Sequence, residues 1–206
     1  AATVHPDINV REQFERYLPE DQRPVKLGEE FSAGDILALE GNASRGQSVF
    51  TGSSALRCQA CHSLWGRGGN VGPDLSQIGR KYERAALLET ILEPSRAIAP
   101  EYVAHAVETV RGQVYLGCLV HQDDERIVLR AADGHETTIA RDEIEAMDAH
   151  SVSLMPELLL RDATAQDAAD LLAFLLTLRD AKQYAWRAQG LGPFAGDGGQ
   201  ALDEVL

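Results

Sequence analysis

"CQACHSLWGRGGNVGPDL", residues 58–75, sets two cysteines three positions apart, puts a histidine directly behind the second, and runs through glycines into Gly-Pro-Asp-Leu. A dithiol of this spacing serves three chemistries: half of a zinc site, a redox disulfide, or the thioether anchors of a haem. A closed zinc site needs four ligands, and no second Cys/His pair follows, since Cys118 stands alone in a strand-like stretch. A thioredoxin-like dithiol opens a helix after a strand of a βαβ unit and has no use for the following histidine. In haem attachment each thiol adds to a vinyl group and the adjacent imidazole reaches the iron, which is why the histidine must sit at this position. The motif therefore predicts one covalent haem c on Cys58 and Cys61, with His62 as axial ligand. A chance pentapeptide or a zinc ligand is the competing reading.

Upstream, Asn42 is a plausible N-cap for "ASRGQSVF", a short helix that ends near Thr51-Gly52. Residues 1–40 read as a lead-in that wraps on a neighbour, with Val10, Phe14, Tyr17 and Leu18 near helical spacing. Downstream, "YERAALLETILEP" predicts a helix with Tyr82, Ala85, Leu88, Ile91 and Leu92 on one face, stopped by Pro94. The runs "YVAHAVETV", "QVYLGCLV", "RIVLRAA" and "ETTIA" then predict a β-rich insert over 101–147, a small sheet or open barrel of hairpins. Helix returns behind a Thr164/Asp167 capping box, with Ala168, Leu171, Leu172, Leu175 and Leu178 as its apolar stripe. The stretch 181–206 loses periodicity and reads as a flexible or loosely docked tail.

The 206 residues carry 19 basic and 32 acidic side chains, a net charge of -13 that repels phosphate backbones and argues against a nucleic-acid partner. No apolar run approaches the length of a bilayer span. The chain opens Ala1-Ala2 with no initiator Met and no charged-then-apolar leader, which points to a removed signal or to a piece of a longer chain.

From Gly46 onward the chain resembles a class I c-type cytochrome. "RGQSVF" is similar to that family's first helix, "CQACH" to its haem anchor, "GPDL" to its proximal loop and "LLAFLLTL" to its last helix. The resemblance implies a close crossing of the first and last helices through Gly46 and Phe50 on one and Leu171 and Phe174 on the other. It also implies that the Pro73 carbonyl accepts a hydrogen bond from the His62 ring, that Leu75 packs on the haem face, and that Met155 in "SLMP" is the distal ligand. Met147, read as packing in a core, and His150 are the rivals for that position. More narrowly, residues 8–180 resemble the planctomycete and Verrucomicrobium type putative haem-binding domain, which often ends a large polypeptide with a dehydrogenase-like module.

The fold expected is mainly α, a cytochrome c fold over 41–180 interrupted by a small antiparallel β subdomain. The function implied is one-electron transfer in a periplasmic or otherwise extracytoplasmic compartment, with a basic redox protein or a fused dehydrogenase module as partner. A haem-based sensor or gas-binding module, and an interaction module built on the insert, are the alternatives. Cys118 reads as a buried, inert thiol sharing a strand face with Val114, Leu116 and Val120.

Overall fold

The computed structural model describes His5 and residues 8–179; the expected tail at 181–206 lies outside the described residues. The lead-in forms α1 (Ile8–Glu15) and α2 (Ala33–Leu37), followed by α3 (Ala43–Gly52) and the single turn α4 (Cys58–Cys61). A two-stranded ribbon, β1 (Ser63–Leu64) and β2 (Arg67–Gly68), leads to α5 (Ile78–Lys81) and α6 (Arg84–Leu92). Five strands follow, β3 (Ala104–Thr109), β4 (Val114–Gln122), β5 (Arg126–Arg130), β6 (Glu136–Ala140) and β7 (Ile144–Ala149), before the last helix, α7 (Ala165–Thr177).

Helix α3 starts where its sequence says it should: the Asn42 side chain accepts from the Arg45 amide. Thr164 and Asp167 form the reciprocal capping box of α7. The two helices cross so closely that a Cβ on Gly46 would collide with the Asp170 carbonyl and come within 2.8 Å of the Phe174 Cβ. Glycine is required there for want of space, not for its dihedral freedom. Phe50 and Phe174 pack tilted with ring centroids 5.9 Å apart. Val49, Leu88, Leu160, Leu171 and Leu172 complete the main core around this crossing.

The lead-in is fastened to the same core. Arg11 pairs with Asp167 at 2.6 Å, Glu12 accepts from the Ser53 and Ser54 hydroxyls, and the Leu27 amide donates to the Ala163 carbonyl. The α1 face differs from the expected one: Ile8 is its buried residue, while Phe14 and Tyr17 are exposed. In α6 the buried face is Leu87, Leu88 and Ile91, and Ala85 is exposed.

The expectation of a mainly α fold is overturned. The described residues are 38% helix and 20% strand, with one five-stranded antiparallel sheet in the order β6-β5-β4-β3-β7. Two causes combine. Between the helices lie loops and short 3-10 turns, at Glu20–Gln22, Pro100–Tyr102 and Leu159–Asp162. The insert also gains β7, which returns to pair with β3 through Val107 and Met147. The sheet has its own core of Val107, Ile127, Leu129 and Ile139, with Tyr115, Leu119, Ile144 and Met147 packed around it. Cys118 is buried on the opposite face, its thiol 3.4 Å from the Tyr102 carbonyl, whereas Val114, Leu116 and Val120 are exposed.

Candidate haem site

The motif begins on a left-handed residue. Arg57, at φ 48°, turns the chain into α4, so that Cys58 and Cys61 fall three residues apart on one turn, and the chain leaves the helix at His62 in extended conformation. Neither cysteine is in a disulfide. Burial pushes the Cys58 thiol up to about 12, and burial also raises Cys61 against the opposing effect of Arg57. Redox dithiols work through a depressed thiolate pKa. These two thiols are displaced the other way.

The glycine-rich stretch folds back on the motif. Trp65 and Gly66, at φ 50° and 75°, form the two-residue turn between β1 and β2, the left-handed pair that such a tight hairpin demands. Three amides then donate to the motif and its exit: Gly69 to Gln59, Gly72 to Cys61 and Leu75 to Ser63, each at 2.9 Å. The Asp74 carboxylate accepts from the Ser63 hydroxyl and the Ser76 amide, both at 2.8 Å. Burial works to raise its pKa, but the hydrogen bonds from Ser76 and Ser63 prevail and hold it below the usual value.

This frame aims His62. Its Nδ1 lies 2.9 Å from the Pro73 carbonyl oxygen. A carbonyl can only accept, so Nδ1 carries the proton and Nε2 is left as the nitrogen with a lone pair for a metal. Burial lowers the His62 pKa, with the Pro73 hydrogen bond working in the opposite direction, so the ring is held neutral, the form that ligates. Gly72 lies against the ring itself: a Cβ there would sit 2.5 Å from Cε1 and 2.8 Å from Nδ1. The Gly-Pro pair is thus a wall for the imidazole.

Cys58, Leu75 and Met155 are half-buried and all pack against the main core. Met147 packs instead into the separate core of the sheet. The Nδ1 of His150 lies within 3.3 Å of the backbone N and O of Val152, in a local turn. The motif therefore brings together an imidazole nitrogen and two free thiols one helical turn apart, and Met155 packs against the main core. Those groups would suit a haem c, with thioether bonds from Cys58 and Cys61 and His62 binding the iron through Nε2.

The insert reaches this site. Arg130, at the end of β5, donates to the Asn70 carbonyl at 2.8 Å, and the turn between β5 and β6 brings the Ala132 carbonyl within 3.9 Å of the Cys61 sulfur. Sequence reading missed Arg130 and the Ser63–Asp74–Ser76 network. Asp-x-Ser at 74–76 is the one local signal for the latter, an Asx turn; nothing local signals Arg130.

Residues 43–116 match the family model described as Cytochrome c, a stretch that includes Cys58, Cys61, His62, Pro73 and Leu75 and stops short of Met155. No curated protein matches the chain. Residues 43–116 thus carry a Cytochrome c domain, and domains of that family bind haem c covalently and serve in haem-based electron transfer. Cytochrome c domains are typically extracytoplasmic or periplasmic, and among the described residues no helix is long and apolar enough to cross a membrane.

Proposed function

We propose that this chain is a monohaem c-type cytochrome, a one-electron carrier with His62 and Met155 as axial ligands, acting in the periplasm or another oxidising extracytoplasmic compartment. Bound haem c supplies the redox chemistry, its iron alternating between ferrous and ferric. The chain fixes the conditions for it. The Pro73 carbonyl holds the His62 proton on Nδ1, and Gly72, lacking a side chain, leaves room for the ring. The observation that carries this reading is the 2.9 Å contact between His62 Nδ1 and the Pro73 oxygen, which leaves the Nε2 lone pair available to a metal. Packing against the main core supports Met155 over Met147 for the sixth position.

The net charge of -13 favours a basic redox partner, whose encounter it would accelerate. A dehydrogenase module on a longer polypeptide would supply electrons without diffusion; the ordered motifs over 8–180, similar to the narrower planctomycete-type domain, support that arrangement. Spectra of the oxidised and reduced protein test the centre. Sharp low-spin reduced bands and a weak far-red sulfur-to-iron band in the oxidised form are expected. Met155→Ala should abolish the far-red band and open the site to carbon monoxide; a spectrum that instead responds only to His150→Ala would refute the assignment. Electron transfer with a cationic partner should slow as ionic strength rises, since salt screens beyond about 8–10 Å.

A further inference from the structure

The β-sheet insert leaves and re-enters the helical part through two limbs that touch. The entering limb carries Ser95, just beyond Pro94 at the end of α6; the returning limb carries Ser153, just beyond β7. The Ser153 amide donates to the Ser95 hydroxyl oxygen at 3.1 Å, across 58 residues of chain. The Ser153 hydroxyl in turn accepts from the Met155 amide at 3.1 Å. Immediately before this pair the returning limb is still registered on the sheet, because the His150 amide donates to the Ala104 carbonyl at 2.7 Å. After it the chain is fixed again by Pro156 and by Leu158 in a left-handed conformation at φ 56°. Of the stretch between, Val152 is exposed and belongs to neither core.

From these contacts we infer that Ser95 and Ser153 form a clamp that positions Met155, so that the root of the β insert is also the support of the axial ligand. This rests on the reading of Met155 as that ligand. A loop methionine stays on a metal only if the loop is held, because the ordering cost of the loop opposes the bond. The two serines hold it with one hydrogen bond on each side of the turn. Neither is a catalytic residue, since neither reaches the ligand atom; both act through the backbone at 153–155. The arrangement also couples the sheet to the centre. Whatever shifts β7 against β3 pulls on His150 and, three residues later, on the clamp.

The test uses the holoprotein with covalent haem and carbon monoxide as probe. Carbon monoxide binds only the form with Met155 displaced, so its apparent affinity scales with that fraction. Loss of one neutral hydrogen bond should raise the fraction, and hence the affinity, by about 2- to 10-fold in Ser95→Ala and in Ser153→Ala. Ser95→Thr and Ser153→Thr, which keep the hydroxyl, should return it toward wild type, and the far-UV unfolding midpoint should barely move. If Met155→Ala raises the affinity while both alanine variants bind like wild type, the clamp is refuted and the ligand stands. If Met155→Ala itself changes neither spectrum nor affinity, the ligand reading and the clamp fall together.

Discussion

Arg45 and Asp170 close a two-pronged ion pair over the α3–α7 crossing, Nε to Oδ2 at 2.5 Å and Nη2 to Oδ1 at 2.9 Å, around a carboxylate with 0% exposure. The same carboxylate accepts from the Asn42 amide at 2.7 Å and from Gln166 at 2.9 Å. The hydrogen bond to Asp170 is the main reason the Arg45 pKa is raised. Four donors on one buried acid mean that the pair fixes the start of α3 as well as the crossing angle. Breaking such a pair costs about 3–5 kcal/mol when both partners are buried. Arg45 is one-third exposed, so Arg45→Met should cost about 2–3 kcal/mol in denaturant unfolding. A loss under 0.5 kcal/mol would show that the carboxylate is solvated in solution.

Gly46→Ala probes the same crossing by steric means. Its Cβ would meet the Asp170 carbonyl, a backbone atom that moves only if α7 moves. Overpacking of this kind costs about 1–3 kcal/mol, and a backbone obstacle puts it at the upper end. Thermal unfolding should fall by more than in Gly34→Ala, where the nearest neighbour is the Ser32 hydroxyl at 3.2 Å. Equal shifts in the two variants would mean that the helices separate easily.

Gly72→Ala should act on the centre rather than on the fold. Its Cβ, 2.5 Å from His62 Cε1, forces either the ring or the loop to give. The ring is held by one hydrogen bond to Pro73, whereas the loop is held by the Gly69, Gly72 and Leu75 amides. The ring is therefore expected to yield. The reduced spectrum should broaden and carbon monoxide binding should increase, with little change in the unfolding midpoint. An unaltered spectrum would show that the loop gives way instead.

How much of this was legible beforehand depends on the range of the interaction. Asn42, the Thr164/Asp167 box and the apolar stripe of α7 are local signals and the structure uses them as read. The helix crossing at Gly46 and Phe174 was reachable only by resemblance, because nothing near Gly46 says what it touches. Strand β7 was missed: "DEIEAMDA" looks like the charged end of the insert, and only its pairing with β3 makes it a strand. That omission is one reason the fold was expected to be mainly α. Cys58, Cys61 and His62 fall within five consecutive positions and are therefore visible, whereas Ser95, Ser153 and Arg130 act across tens of residues and leave no pattern in the sequence.

Asp123, in the turn between β4 and β5, provides a pH test away from the haem. The hydrogen bond from His121 Nε2 at 2.7 Å, with the Arg126 and Glu125 amides, lowers its pKa from 3.8 to about 2. A depressed carboxylate favours folding above its unfolded pKa, and that contribution is lost as pH falls from about 3.8 through about 2. A carboxyl resonance of Asp123 titrating near 2 is expected by NMR, moving toward 3.8 in His121→Ala. If the resonance titrates near 3.8 in wild type, the turn does not hold this geometry in solution.

Arg130 joins the insert to the haem loop, and its two contacts differ in weight. Toward Glu136 it donates from Nε at 3.0 Å and Nη2 at 2.6 Å, but Glu136 is 48% exposed, and such surface pairs contribute about 0–1 kcal/mol. Toward Asn70 it donates to a backbone carbonyl at 2.8 Å from a side chain only 19% exposed, and a charge-assisted bond of that kind contributes about 1.5–3 kcal/mol. Arg130→Ala should therefore free the β5–β6 turn from the motif while Glu136→Ala leaves it docked. Hydrogen exchange distinguishes the two. In Arg130→Ala the Gly72 amide, bonded to the Cys61 carbonyl, should exchange about 10-fold faster, because the turn beside Cys61 no longer covers it. In Glu136→Ala the rate should stay within about 2-fold of wild type. The opposite order would mean that the ion pair, not the bond to Asn70, holds the insert against the haem loop.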